Sequence, residues 1–399
     1  MKIICPINQC TGCAACFNVC RHSAIEMKSD KYGFAYPEID QNKCIDCGLC
    51  QKSCPNVYKL AKNNPLDCYV CHAQDSSEQI SSTSGGIASA ISRFIIRRGG
   101  IVYGCSSVNC YDIKHLRIEN ESQLDLLKGS KYVQSQINDT FIRIKQDLKD
   151  GKEVLFIGTP CQVAGLKGFL RKEYEKLYTI DFVCHGVPSF KYLQDTFPNK
   201  IRTSSLNYNL QFRNKVEINR DEFKTEYGLF FLDNNREIVY KEKYPNSLYM
   251  MGFLQGLFYR ESCYKCHYAT SERVSDFTVG DYDDKENLYN GLPGIKKVIS
   301  MMMVNTLKAK QLMIQLDKTI FSIPVTLDNL IQTHEQLSKP MSRHKNYQKF
   351  RELYQTDGIK IALKISLHDD IIINRKKKIK KLLFNIPCVE FLHRILYKK

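Results

Sequence analysis

Two short runs of cysteine near the start of the sequence have spacings that suit metal or cluster binding. Each run holds four cysteines separated by two, two and three residues: Cys10, Cys13, Cys16 and Cys20 in the first, and Cys44, Cys47, Cys50 and Cys54 in the second. The two-residue gaps let three thiolates converge from one tight loop on the corners of an iron–sulfur cubane. Paired C-x2-C units also bind zinc, so two zinc sites are the alternative.

The eight-cysteine pattern is the spacing of bacterial two-cluster ferredoxins, in which the fourth cysteine of each run ligates the other cluster. We therefore predict two [4Fe–4S] clusters with crossed ligation. Cluster 1 would be held by Cys10, Cys13, Cys16 and Cys54, and cluster 2 by Cys44, Cys47, Cys50 and Cys20. Arg21 stands where the first run usually has Pro, which changes how a helix begins but not the set of ligands.

Two further cysteines each follow a predicted strand. Cys161 comes after an apolar run at 154–157, and Cys184 lies at the end of a second run at 180–183. The helical pattern at 162–172 between these runs predicts a parallel βαβ unit. Such a unit would bring both cysteines to the carboxyl-end edge of one sheet, where the sites of these folds gather.

Another pair of cysteines, Cys263 and Cys266, lies in a predicted loop with C-x2-C spacing. Together four thiols from three loops could hold a third cluster: Cys161, Cys184, Cys263 and Cys266. A zinc site with His185 or His267 as a substitute ligand is one alternative. The other is that some of these thiols are only buried small hydrophobic groups, as free cysteine often is.

A turn rich in small residues precedes the amphipathic helix that we predict up to Arg98. It contains Ser84, Gly85 and Gly86, and we expect Ser84 to cap the helix. Two glycines let backbone N–H groups approach a ligand, and a helix N-terminus favours an anion. The phosphate or pyrophosphate of a nucleotide would fit this turn, while a plain capped helix is the alternative.

The region after the cysteine runs alternates strand and helix patterns, and two strand-like runs around 233–235 predict a hairpin across 226–243. We therefore expect an α+β or α/β fold with four parts. These are a two-cluster ferredoxin domain at 1–56, a linker at 57–67, a mixed α/β domain at 68–340 and a basic helical tail at 341–399.

The composition places these thiols in a reducing compartment. Eleven of the 18 cysteines lie within the first 71 residues, and the N-terminus has no apolar run that would act as a secretory signal. No stretch approaches 18 apolar residues, so no membrane span is expected. We therefore predict a cytoplasmic protein whose cysteines serve metal or redox chemistry and not disulfides.

The formal net charge of +16 is concentrated at the end of the chain. Residues 371–399 contain nine Lys or Arg and one acid, Glu390. A solvated helical tail that packs one apolar face on its own domain is the expected structure. The alternative is peripheral contact with an anionic membrane, at its inner face. Nucleic-acid binding is not predicted, because no recognition motif accompanies the charge.

Several segments, taken in order, resemble the beta-subunit family of coenzyme F420 hydrogenases and dehydrogenases, in particular bacterial members with a two-cluster ferredoxin domain in front. The resemblance covers roughly residues 5–290. The segments that carry it are 82–86 (STSGG), 129–135 (GSKYVQS), 158–162 (GTPCQ), 184–189 (CHGVPS), 212–215 (FRNK), 263–266 (CYKC) and 276–281 (DFTVGD).

The resemblance implies an FAD-binding domain at 68–340 in which the flavin meets a third [4Fe–4S] cluster at the four later cysteines. It also implies that the turn at Ser84, Gly85 and Gly86, together with Lys131, faces the FAD. The sequence departs from the family after Asp281, where residues 282–285 replace the usual aromatic-glycine turn. No catalytic residue is predicted, and whether coenzyme F420 is used stays open.

These expectations favour an iron–sulfur flavoprotein oxidoreductase that passes electrons between FAD and a ferredoxin-like or other redox protein. The first alternative is an electron-transfer subunit without catalysis that feeds a separate enzyme. The second is a reductase that acts on a glycan or lipid-linked substrate at the membrane surface.

Overall fold

The computed structural model describes residues 3–219, 222–282 and 299–384. The predicted departure at 283–285 and the last part of the basic tail, 385–399, lie outside the described residues. Side chains 219, 222 and 380–384 are likewise not described.

Three sheets organise the described residues. Their strands are β1 (Ile25–Ser29), β2 (Ala35–Ile39), β3 (Asp67–Ala73), β4 (Ile101–Ser106), β5 (Lys114–Ile118), β6 (Val154–Ile157), β7 (Leu177–Phe182), β8 (Asn209–Asn219), β9 (Glu222–Leu232), β10 (Ile238–Lys243), β11 (Phe277–Tyr282), β12 (Ile299–Val304) and β13 (Ile320–Pro324). An eight-stranded sheet has the order β13-β3-β12-β11-β7-β6-β4-β5. A three-stranded sheet has the order β10-β9-β8, and β1 pairs with β2.

The helices connect and cover these sheets. They are α1 (Ala15–Val19), α2 (Leu49–Lys52), α3 (Ser76–Ser81), α4 (Ile87–Arg97), α5 (Thr140–Lys149), α6 (Pro160–Leu170), α7 (Phe190–Asp195), α8 (Asn199–Arg202), α9 (Leu248–Leu254), α10 (Leu307–Gln315), α11 (Leu327–Thr333), α12 (Tyr347–Ser366) and α13 (His368–Phe384). Short 3₁₀ turns lie at Glu121–Leu126, Glu261–Lys265 and Glu335–Leu337. Among the described helices, none combines the length and apolar character needed to cross a bilayer.

The centre of the large sheet is parallel, as the βαβ pattern predicts. Strands β4, β6, β7 and β11 run parallel, with Ile157 of β6 opposite Ile180 of β7. Helix α6 is buried along most of its length and joins β6 to β7. The antiparallel strands β12, β3 and β13 extend one side of the sheet, and β5 closes the other. The predicted mixed α/β fold is confirmed, and the hairpin prediction corresponds to β9 and β10.

The N-terminal segment packs directly on this sheet domain. Ala14 and Ala15 share a core with Leu166 and Phe169 of α6. The Asn18 side chain also donates a hydrogen bond of 2.8 Å to the carbonyl of Asn138. The segment is therefore held by apolar contacts and by side-chain bonds to backbone, and not only by its chain connection.

Helix α12 belongs to the main aromatic core. Phe350 and Tyr354 of this helix are buried against Tyr192, and Phe350 also contacts Phe258. The helix is interrupted at Gly358, where φ is +77°. Helix α13 follows with Ile372, Ile373 and Ile379 exposed.

The expectation that Ser84 caps α4 is wrong. The capping residue is Gly86, with φ of +84°, and no side chain caps the helix. Ser84 instead donates to the carbonyl of Ile299 at 3.0 Å and accepts a hydrogen bond from Ser300 at 2.9 Å. Contact with a strand more than 200 residues later therefore overrides the local capping preference.

Candidate iron–sulfur centre

One cavity collects the thiols predicted for cluster 1. Its empty space is about 310 Å³, and its lining includes Cys10, Cys13, Cys16 and Cys54. All four residues are buried. The loop from 10 to 16 wraps around the cavity, with positive φ at Gly12 and Ala14. Cys54 reaches the same cavity from the end of the second cysteine run, so the structure brings together the quartet of the crossed arrangement.

A fifth thiol, from Cys5, lies in the same cavity. Interaction with the Cys5 thiol holds the pKa of Cys10 and that of Cys54 below the usual range of a thiol. Burial raises the pKa of Cys13 to about 12. Cys5 belongs to neither run and has no spacing signal, so sequence reasoning could not place it here.

A second cavity collects the thiols predicted for cluster 2. It has about 550 Å³ of empty space, is open to solvent, and is lined by Cys20, Cys44, Cys47 and Cys50. Cys47 is exposed, whereas desolvation raises the pKa of Cys50. The rim carries apolar side chains that face solvent, among them Ile3 and Ile45, which are 68% and 63% exposed.

The four later cysteines also meet, at the carboxyl-end edge of the large sheet. Cys161 lies in the first turn of α6, Cys184 follows β7, and Cys263 and Cys266 lie in and just after a 3₁₀ turn. Desolvation raises the pKa of Cys184 well above its usual range, and the thiols of Cys263, Cys161 and Cys266 reinforce the rise. The thiols of Cys161, Cys263 and Cys266 thus lie close enough to Cys184 to oppose its ionisation.

Hydrogen bonds lock the loops that carry these thiols. The Thr159 N–H donates to Gln162 Oε1 at 3.0 Å, and Gln162 Nε2 donates to Ser135 Oγ at 3.0 Å. The Gln134 N–H donates to the carbonyl of Pro188 at 3.0 Å. Three of the sequence motifs, GSKYVQS, GTPCQ and CHGVPS, are thus joined around one site.

A glycine permits the close approach of the last two loops. Gly186 has φ of +139°, and a β-carbon at this position would overlap the ring of Tyr259. Pro188 forms a β-bridge with the same Tyr259. Because the CHG loop and the segment before Cys263 meet here, a side chain at Gly186 would push Cys184 away from Cys263.

Helix α6 connects this site to cluster 1. A β-carbon on Gly165 would lie 2.8 Å from Cβ and 2.9 Å from Sγ of Cys13. Cys161 is one turn earlier on the same helix, and its thiol contributes to the rise in the pKa of Cys13. The ring of Tyr268 is buried near both Cys161 and Cys13. The first and third groups of thiols are therefore separated by one helical turn and one aromatic ring.

Among the described residues, no group of three or more His, Cys, Asp or Glu side chains is arranged to hold a single metal ion. The described cysteines are all free thiols.

The turn at 84–86 and Lys131 lie near one another, but their polar groups already have protein partners. Thr83 Oγ1 and Ser130 Oγ are 3.3 Å apart, which joins the turn to the GSK loop. The Gly85 N–H donates to Ser300 Oγ at 2.9 Å. Lys131 Nζ donates to the carbonyls of Leu127 and Lys128, both at 2.7 Å.

Two more cations complete this edge and were not predicted as site residues. Lys215 Nζ donates to the carbonyl of Gln79 at 2.6 Å and to that of Ser84 at 3.3 Å. Arg213 pairs with Asp281 at 2.7 Å and stacks on Tyr132. Both cations lie in the FRNK motif, whose position in the family order was the only available signal.

Desolvation lowers the pKa of two lysines at this edge of the sheet. It lowers the pKa of Lys131 to about 8 and, to the same value, that of Lys215. Neither amine forms an ion pair with a carboxylate among the described side chains, since their hydrogen-bond partners are backbone carbonyls. This edge therefore holds two desolvated amines without a paired carboxylate among the described side chains.

Two family models match the sequence. Residues 9–57 match the 4Fe-4S dicluster domain. Residues 151–322 match the family described as the C terminus of the beta subunit of coenzyme F420 hydrogenase/dehydrogenase.

Two relatives give further comparisons. An uncharacterized ferredoxin of Methanocaldococcus jannaschii is 35% identical over 68 residues, which cover 16% of this chain and 38% of that protein. The chain thus spans well under half the length of this curated relative. A chain of the F420-reducing [NiFe] hydrogenase complex from Methanosarcina barkeri has 16% identity and a TM-score of 0.46, covering 74% of this chain and 94% of that chain.

The dicluster match and the cysteines that line the two cavities define the class of the N-terminal part: it is an iron–sulfur domain of the kind that carries two [4Fe–4S] clusters. Residues 151–322 are similar to the C terminus of the beta subunit of coenzyme F420 hydrogenases and dehydrogenases. The resemblance that the sequence motifs indicate is thereby confirmed for residues 151–322, as is the dicluster ferredoxin domain at 9–57 in front of them.

Proposed function

We propose that the protein is an iron–sulfur flavoprotein oxidoreductase that exchanges electrons between FAD and an external one-electron carrier. The observation that carries the proposal is the grouping of twelve cysteines at three places. Four line the second cavity, which opens to solvent, four line the first cavity, and four lie at the edge of the large sheet. When bound, FAD would supply two-electron chemistry and the clusters one-electron transfer.

The proposed ligands are the three groups of thiols. Cluster 1 is assigned to Cys10, Cys13, Cys16 and Cys54, cluster 2 to Cys20, Cys44, Cys47 and Cys50, and a third cluster to Cys161, Cys184, Cys263 and Cys266. Desolvation raises the pKa of both Cys161 and Cys263 to about 12, so these thiols keep their protons in the absence of iron. Ligation requires thiolates, and cluster assembly would therefore release protons.

The lysines at the sheet edge would hold the FAD phosphates. Lys131 and Lys215 are cations without a described carboxylate partner, and both approach the turn before α4. The Gly85 N–H and the Ser84 hydroxyl are already bonded, so we assign the contacts to the two amines, to Gly86 and to the start of α4. A bound phosphate would supply the negative charge that neither amine receives from a described carboxylate.

The exposed rim of cluster 2 would meet the external carrier. Cys47 faces solvent there, and the exposed apolar side chains of Ile3 and Ile45 lie at the opening. A small apolar patch around a redox centre suits the brief contacts that electron carriers make.

The experiment that tests this function compares reduction with and without flavin. Under anaerobic conditions, reduced deazaflavin or reduced pyridine nucleotide should produce the electron paramagnetic resonance signals of reduced clusters in the flavin-loaded protein. Flavin-free protein should lose this response but still be reduced by dithionite. A protein with full clusters, no flavin and no response to either two-electron donor would instead be an electron-transfer subunit for a separate enzyme.

Helix α13 supports a second candidate function, at a membrane surface. Its described residues place Ile373 and Ile379 in solvent beside the exposed basic run at 375–378. The start of the helix is anchored, since Tyr244 donates to Asn374 at 3.3 Å. We propose that this helix can rest on an anionic bilayer, which would suit a reductase that acts on a lipid-linked substrate.

A further inference from the structure

Arg260 is a fully buried cation whose contacts with the described residues are all with neutral groups. It is the largest of the fully buried side chains in the described part of the chain, with 0% exposure. Its guanidinium donates to Gln134 Oε1 at 3.0 Å and to the carbonyls of Cys10 at 3.2 Å and Ala35 at 2.8 Å. It also stacks over the ring of Tyr36, 4.6 Å from the centroid.

No described carboxylate neutralises this charge. The adjacent acid, Glu261, is directed elsewhere, where it pairs with Arg343 and lies 3.8 Å from Arg351. Arg273 is also buried, but its charge is neutralised in the usual way, because its guanidinium lies 2.9 Å from the carboxylate of Asp181. A buried charge without a counterion is costly, so a neighbour that the protein chain does not itself supply should balance Arg260.

The position of Arg260 identifies that neighbour. Its guanidinium holds the loop of cluster 1 at the Cys10 carbonyl, and Ser262 donates to the same carbonyl at 3.1 Å. Cys263, assigned to the third cluster, is three residues along the chain, and the Cys263 N–H donates to the Arg260 carbonyl. The side chain therefore stands between two groups of thiols.

The backbone of Arg260 also joins the loops of the third group of thiols. Its N–H donates to the carbonyl of Val187 at 2.9 Å, and Val187 lies three residues after Cys184.

We propose that Arg260 is a positioning residue whose counterions are the first and third clusters, and that its charge raises the reduction potential of both. A [4Fe–4S]²⁺ centre with four thiolates carries about −2, and uptake of one electron from the carrier makes it about −3. A fixed cation stabilises the more negative state more strongly. This inference rests on the proposed assignment of those two groups of thiols to clusters.

Three variants test it in the full-length, anaerobically prepared protein by redox titration followed by electron paramagnetic resonance. R260Q removes the charge, and Q134E keeps the arginine but places a carboxylate against its Nε. Both should lower the one-electron reduction constant of clusters 1 and 3 about tenfold, which corresponds to about 59 mV. R260K keeps the charge and should stay within about threefold of the wild type.

Two controls accompany the measured shifts in reduction potential. Cluster 2 is the internal reference and should not shift in any variant. R117Q removes an arginine that already has a carboxylate partner, Asp147, at 3.0 Å, and should leave all potentials unchanged.

Unchanged potentials in R260Q or Q134E with full iron and sulfide would overturn the role of Arg260 and leave the proposed function intact. If R260Q does not fold, R260M decides the question, because it also removes the charge and adds no new charge near the thiols; it should give the same tenfold shift, and unchanged potentials in it would overturn the role of Arg260. A wild-type protein without [4Fe–4S] signals from the first and third groups would instead contradict the proposed function itself.

Discussion

Cysteines that are distant in the sequence line the same cavity in this protein, and the surroundings of each thiol depend on which cavity it lines. Cys54 faces the first cavity and Cys20 the second, although each belongs to the other run. The spacing of the runs was enough to predict this exchange, because the two-cluster pattern fixes which cysteine leaves its own loop.

A double substitution tests the crossed ligation. C10S and C54S should each remove one cluster, and the C10S/C54S double variant should still lose only about four of the irons. If each run held its own cluster, the double variant would lose about eight. Iron and sulfide analysis of the anaerobic protein distinguishes the two results, and C110A, at a buried thiol outside all three groups, should change neither count.

The lysines that we propose to hold FAD give its binding a pH dependence with a defined sign. The pKa of Lys131 is lowered to about 8, and a bound phosphate would raise it again. FAD affinity should therefore be fully present below pH 8 and fall as the pH rises above 8. K131M should weaken binding about tenfold to a hundredfold, the value of a charge-assisted hydrogen bond, and flatten the dependence.

Fluorescence titration with FAD between pH 6.5 and 9.5 measures both effects. K176M removes an exposed lysine that donates to the carbonyl of Gly151, and it should behave like the wild type. Equal weakening in K131M and K176M, or an affinity that rises above pH 8, would remove Lys131 from the site.

Residues whose contacts are with distant parts of the chain could not be predicted from the sequence. Arg260 lies in no motif, and its importance follows only from complete burial and from contacts with Cys10 and Ala35, more than 220 residues earlier. Cys5 is similarly isolated in the sequence, yet it shares the first cavity. A residue whose partners are distant leaves no periodic or spacing signal.

At the scale of elements, the parallel unit β6-α6-β7 was predictable because its signals are local. Apolar runs, a helical pattern and short connections fix it within about 30 residues. The antiparallel half of the sheet was not predicted, since β3 pairs with β12 across more than 220 residues. The same long-range contact, through Ser300, turned Ser84 away from its expected capping role.

Helix α6 should tolerate no side chain at the point where it meets cluster 1. G165V would place two methyl groups against Cys13, whose Sγ would be only 2.9 Å from the new Cβ. Overpacking of this kind costs about 1–3 kcal/mol in unfolding free energy, and we expect that loss together with faster proteolytic release of the N-terminal segment.

Urea unfolding followed by circular dichroism measures the stability, and limited proteolysis measures the release. K167A, on the same helix but half-buried and facing Glu173, is the matched control and should cost less than about 1 kcal/mol. If G165V were as stable as K167A, close packing of α6 on the cluster 1 loop would not be what holds the two parts together.

At the scale of the whole molecule, the basic charge and the redox centres lie in different parts of the chain. Helix α12 is integrated into the aromatic core, and α13 extends from it with an exposed basic run at 375–378. A quadruple variant with glutamine at these four positions should lose sedimentation with vesicles that contain anionic lipid, because electrostatic attraction contributes about 1 kcal/mol per basic residue.

The same variant should keep its iron content and its reduction by dithionite, which shows that the redox body is intact. Vesicles of neutral lipid provide the matched comparison and should bind neither protein. Equal sedimentation of the wild type and the variant with anionic vesicles would exclude the basic run as a membrane contact.

The central claim, that the chain joins three [4Fe–4S] clusters to FAD, is tested most directly by analysis of iron, acid-labile sulfide, zinc and flavin in protein purified without oxygen. We predict about twelve irons, about twelve sulfides and one FAD released on denaturation for each chain. Stoichiometric zinc with neither sulfide nor flavin would contradict the account.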